Sequence, residues 1–110
     1  MARKFIITDK QFIHANVEIH MDMIKNLSDK ERPVLGGGRW DIDEKKKIFY
    51  LWGESVDFGY AKPEDIKRAI EAEDTWISPR IEGFTVMHSP IIMANMPDED
   101  DFKELMVLPS

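Results

Sequence analysis

Lys4-Phe5-Ile6-Ile7 is a short apolar run closed by the polar Thr8-Asp9-Lys10-Gln11, and it reads as a strand followed by a turn. From His14 the spacing changes. Val17, Met21, Ile24 and Leu27 recur at steps of four, three and three, with polar residues largely between them, which predicts an amphipathic helix of about 14 residues ended before Pro33. Ile19 and Met23 widen its apolar stripe, so this helix is expected to lie against a sheet.

Beyond Gly36-Gly37-Gly38, the segment Arg39-Trp40-Asp41-Ile42-Asp43 alternates polar and apolar, as a half-buried strand does. Glu44 to Lys47 forms a charged turn and Ile48-Phe49-Tyr50-Leu51-Trp52 the second arm of a β-hairpin. A glycine-bracketed loop, Gly53 to Gly59, leads on to a second helix opened by Pro63. Glu64 and Asp65 suit the positive end of that helix, and Ile66, Ala69 and Ile70 form its buried stripe. Further strands are expected near Phe84 to Met87 and Ile91 to Ala94, with Pro97 to Asp101 opening a short helix or an acidic tail.

This order predicts an α/β (α+β) domain over 1–96, with one mixed, largely antiparallel sheet flanked by two helices. An acidic C-terminal segment follows over 97–110.

The chain has 110 residues and a net charge of −6, carried unevenly: +2 over residues 1–40, −4 over 41–96 and −4 over 97–110. An excess of carboxylates repels a polyanion, so broad nucleic-acid binding is disfavoured, while a small phosphorylated ligand at the basic first third is compatible with the charge. Zero cysteines exclude Cys-ligated zinc, thiol nucleophiles and disulfides, and fit a cytoplasmic setting. No apolar run approaches the roughly 18 residues that span a bilayer, so no membrane association is expected.

Three features could carry chemistry. The first is His14, at the predicted start of a helix, where unpaired amides and the positive dipole end attract an anion and disfavour imidazolium. A neutral His14 could accept a proton, whereas His20 is more simply read as packing or surface. The two histidines stand about 120° apart around a helix rather than on one face, and His88 could join them only through a tertiary contact, so no metal site is expected.

The second is Gly36-Gly37-Gly38-Arg39. No Gly-Lys-Ser/Thr follows and a strand comes next, which excludes a Walker A loop and a dinucleotide fingerprint. A tight bend allowing close backbone approach and a pocket with Arg39 as anion partner remain equally open. The third is the Gly53 to Gly59 loop, whose successive amides could form an anion-binding nest with the Ser55 hydroxyl as a further donor. It could equally be the plain connection from hairpin to helix.

Jointly, Leu35-Gly36-Gly37-Gly38-Arg39, Trp52-Gly53-Glu54-Ser55 and Phe58-Gly59-Tyr60-Ala61, with His14-Ala15 upstream, resemble the phosphohistidine phosphatase (Janus/Ocnus) family over about residues 12 to 70. The resemblance implies a metal-free, cofactor-free phosphatase acting on phosphohistidine, or phospholysine, in a protein or peptide. It casts His14 as general base at a helix N-terminus and Lys4 as its catalytic partner. Ala15, Arg39, Ser55, Val56 and Asp57 would hold the phosphoryl oxygens, and Gly36, Gly37, Gly38, Gly53 and Gly59 would shape the loops. Phosphoryl transfer relies chiefly on positioning and charge stabilisation, which such a set supplies.

The chain departs from the family at Asp57, usually a small neutral residue, at Phe58 and Tyr60, and in a shortened front end. Two functions therefore stand side by side: a phosphatase, and a non-catalytic relative that binds a partner or phosphorylated ligand through the same cleft.

Overall fold

The structure, a computed structural model, describes residues 3–9, 12–16, 34–72, 81–93 and 95–109, with 13–16 described through their backbone. It is an α+β fold with one mixed six-stranded sheet in the order β2-β1-β3-β4-β5-β6. The strands are β1 (Arg3–Ile7), β2 (Phe12–Asn16), β3 (Gly36–Asp43), β4 (Ile48–Trp52), β5 (Thr85–His88) and β6 (Lys103–Val107), with the helix α1 (Pro63–Ala72) between β4 and β5. Every neighbouring pair is antiparallel except β4 and β5. A parallel pair needs a long crossover, and α1 lies within it.

Local chemistry accounts for the hairpin and the helix. Asp43 Oδ1 accepts hydrogen bonds from the amides of Lys45 and Lys46, both at 3.0 Å, and Lys47 takes the left-handed conformation that returns the chain into β4. In α1, proline opens the first turn, Glu64 and Asp65 sit at the positive dipole end, and Ile66, Ala69 and Ile70 are buried at helical spacing.

Strand alternation divides the apolar residues between two faces. On the helix face, Phe5, Ile7, Phe12, Trp40, Phe49, Leu51 and Val86 pack with Ile66, Ala69 and Ile70 of α1. Phe12 stacks on Phe5 with centroids 5.3 Å apart and meets the Phe49 ring edge-on. The opposite face carries a smaller aromatic group, Tyr50, Trp52 and Phe102, with Met87 and Met96 against it.

The structure differs from the sequence reading in several places. The helix expected from His14 falls mainly on residues outside those described, and its first positions are strand β2. Phe12 and Ile13 continue an extended pairing with Ile7 and Ile6, and that ladder carries the chain through His14. Of the two helices expected to flank the sheet, α1 is the one among the described residues.

The triple glycine is not a bend before β3; it is the start of the strand itself. Ile91 to Met93 forms no strand, because β5 already has β4 and β6 on its two sides. The short helix expected after Pro97 is a 3-10 turn over Glu99–Asp101, and the remainder of 97–110 supplies β6 to the sheet. Among the described residues no helix is long and apolar enough to cross a membrane.

Candidate functional site

Register brings the proposed residues of the first 40 positions to neighbouring rows across the middle of the sheet. Lys4 lies opposite Ala15 on one side and Arg39 on the other, and Arg39 lies opposite Trp52. His14 belongs to the next row, opposite Phe5, so it is one register step out of line with Lys4. As the third residue of a five-residue strand, it does not stand at a helix N-terminus. From a position inside a strand, His14 has no helix dipole of its own to keep it neutral or to draw an anion to it.

The glycine motif is explained by close packing. A Cβ at Gly37 would collide with the Phe5 carbonyl, and one at Gly38 with the Trp52 carbonyl and, at 2.9 Å, the Phe5 ring. At Gly36 it would stand 2.6 Å from the Tyr60 carbonyl. Neighbouring backbones press on β3 from both sides, and only residues without a side chain fit between them. That is the close-approach reading of the motif, and it leaves Arg39 as the motif's chemical group.

The Gly53 to Gly59 loop is a closed, self-bonded turn. Gly53 leaves β4 with its amide on the Ile91 carbonyl at 3.2 Å. Ser55 and Gly59 exchange backbone hydrogen bonds of 3.0 and 2.8 Å, and Gly59 takes the left-handed conformation that closes the turn. Ser55 is buried, and its Oγ accepts the amides of Asp57 at 3.2 Å and Phe58 at 3.0 Å. The amides of Ser55 and Asp57, expected to face an anion, are engaged inside the loop, Ser55 N–H donating to the Gly59 carbonyl and Asp57 N–H to Ser55 Oγ. The Gly59 carbonyl also takes the Gly37 amide at 3.1 Å, which ties the loop to the glycine motif.

Beside this loop, half-buried Arg39 lines a shallow hollow of about 170 Å³ with Glu54, Val56, Ile92 and Met93. Its apolar rim is open to solvent: Val56 is 95% exposed, Ile92 55% and Met93 43%. Asp57 is exposed nearby in the chain, on the loop. Ile92 and Met93 escaped the sequence reading because an apolar run there looked like a strand.

Among the described residues, two further hollows lie away from these. The larger, about 550 Å³, is lined by Asp41, Asp43, Glu44, Lys45, Tyr50 and Glu99 among others. Its Glu99 carboxylate takes a 2.6 Å hydrogen bond from Lys46 Nζ, which holds the carboxyl below and the ammonium above their usual ranges. Tyr50 is pushed up by burial and then by Glu99. Among the described residues no group of three or more His, Asp and Glu side chains is placed to hold a metal ion.

The other hollow, about 330 Å³, is lined by Pro63, His88, Pro90, Lys103, Glu104 and Leu105. His88 is 6% exposed, and burial pushes its pKa down, which favours the neutral imidazole. Its ring leans on Tyr60 with centroids 5.9 Å apart. The one signal for His88 in the sequence was its place in His88-Ser89-Pro90, which reads as punctuation between strands.

With the geometry established, comparison with known proteins adds no relative: no family model, no curated protein and no solved structure matches the chain.

Proposed function

We propose that the chain is a non-catalytic, phosphohistidine phosphatase-like protein that binds a phosphorylated protein or peptide through Arg39, in a cytoplasmic setting. One observation carries this reading: a half-buried guanidinium lines a hollow whose rim is exposed Val56, Ile92 and Met93. Arginine offers a planar fork of donors suited to phosphate oxygens, and the aliphatic rim suits apolar side chains flanking the phosphorylated residue. Glu54 lines the same hollow and opposes a doubly charged group, which sets a ceiling on affinity.

Hydrolysis is the second reading, and one observation favours it. Lys4, Ala15 and Arg39 share one register row, so positions far apart in sequence lie side by side, although the His14 position, opposite Phe5, alternates with them and belongs to the helix-facing set.

A phosphohistidine peptide followed by ³¹P and amide NMR, without metal, separates the two. Binding without turnover is expected, with saturable shifts at Arg39 and Val56, affinity about tenfold weaker in Arg39→Ala and tighter in Glu54→Gln. Phosphate release at any pH from about 6 to 9 that disappears in His14→Ala would establish the enzyme instead. Absence of both binding and turnover would overturn both readings.

A further inference from the structure

The His88 cavity stands apart from the Arg39 hollow, and we infer that it is a second binding site, one that takes a small amphipathic carboxylate. Its volume of about 330 Å³ lies in the range of small-molecule pockets. Pro63, Pro90 and Leu105 offer an apolar wall, and His88, 94% buried, lines the cavity with no hydrogen-bond partner for its ring among the described residues. Among the described residues the buried side-chain group left without a partner is the Trp52 indole N–H and not the His88 ring, so the imidazole is reached from the cavity and a ligand oxygen can bond it there.

The charge of the ligand follows from register. Lys103 lies directly opposite His88 in the β5–β6 pair, so ammonium and imidazole share a face. Glu104 also lines the cavity, but its register partner is Met87, which packs on the other face of the sheet, so the two carry the alternate set of positions to His88 and Lys103. Pro63, the first residue of α1, brings the positive end of a ten-residue helix to the same cavity. The cationic and donor groups thus converge on the side where His88 lies.

An irregularity in the sheet shapes the apolar wall. Val86 pairs with Met106 and Met87 with Glu104, which leaves Leu105 without a register partner. Bulges of this kind re-aim side chains and recur beside binding sites. Here the bulged Leu105 lines the cavity, and a carboxylate seated between Lys103 and His88 would rest its apolar body on it.

Benzoate is the probe, with benzylamine as the charge-reversed control and benzyl alcohol as the neutral one, read by NMR on the whole chain. Benzoate is expected to shift the His88 ring resonances saturably with a Kd of about 1 mM and to show NOEs to the Leu105 methyls, while benzylamine binds at least about tenfold more weakly. Lys103→Gln should weaken benzoate about fivefold and leave benzyl alcohol unchanged, and Arg39→Ala should leave both unchanged. Leu105→Trp fills the cavity and should abolish the shifts; should that variant not fold, the wild-type NOEs still decide. Equal binding of benzylamine, benzoate shifts centred on Arg39, or no saturation by about 10 mM would each overturn the assignment.

Discussion

The Arg39 hollow and the His88 cavity differ in almost every physical respect. At Arg39 a permanently charged group lies in a shallow recess, and the surrounding aliphatic side chains are largely in water. At His88 a titratable group is buried on the helix face, beside the start of α1 and a bulged edge strand. The first arrangement suits a partner's surface laid over a cation, since the apolar rim gains only when something covers it. The second suits a molecule small enough to enter. Motif residues cluster at the first and are absent from the second, so sequence motif and enclosed volume point to different places in this molecule.

The largest effect should arise where the Arg39 region is built. Gly38→Ala places a Cβ against the Trp52 carbonyl and the Phe5 ring, between backbones that cannot separate without breaking the ladder. A loss of about 3 kcal/mol is expected, a fall in Tm of about 15 °C by calorimetry. A change below about 0.5 kcal/mol would show that β3 has room to shift, and that the glycines serve ligand rather than packing.

Ser55→Ala should have a smaller effect, about 1.5 kcal/mol by urea unfolding, because it removes the acceptor of the Asp57 and Phe58 amides. Hydrogen exchange at Phe58 should quicken in the same variant. If phosphate also bound Ser55→Ala more tightly, through amides released from Oγ, the nest reading of the loop would regain its basis.

These two positions also show what could be read in the chain before its structure. The hairpin and α1 were legible because their determinants are local: Asp43 caps its own turn, and Pro63, Glu64 and Asp65 mark a helix start within three residues. β2 was not, because His14 stands between an apolar pair and a helical stripe, and only pairing with β1 extends the strand through it. Nor was β6, since Lys103 to Val107 follows an acidic run and becomes a strand only beside β5.

Of the candidate site, Lys4, Ala15 and Arg39 came together in one register row, while His14 fell in the next, in a strand rather than at a helix start. The surroundings that decide their chemistry were tertiary: Oγ of Ser55 turned on its own loop, Ile92 and Met93 arriving from a distant segment, and His14 held in a strand. His88 carried no motif because its setting is made by α1, β5 and β6 together.

The smallest expected effect belongs to His88 and has a defined sign. Burial lowers its folded-state pKa, so between that value and the unfolded one near 6.5 the unfolded chain binds more protons than the folded chain. The contribution is fully present above the unfolded value and is lost as pH falls through the folded one. The groups around the imidazole are Lys103 and Glu104 from β6, which line the same cavity, and Tyr60, whose own hydroxyl is pushed up by burial and then by Glu64. Stability measured by urea unfolding should therefore decline on acidification below about pH 6.5 in the wild type more steeply than in His88→Phe, the difference isolating His88 from the other two histidines. Saturating benzoate bridging Lys103 and a protonated His88 should flatten that difference by offering imidazolium a counter-charge. A wild-type profile parallel to that of His88→Phe, with or without benzoate, would mean that the His88 ring is hydrated in both states and that the contrast between an enclosed site and an open one does not hold.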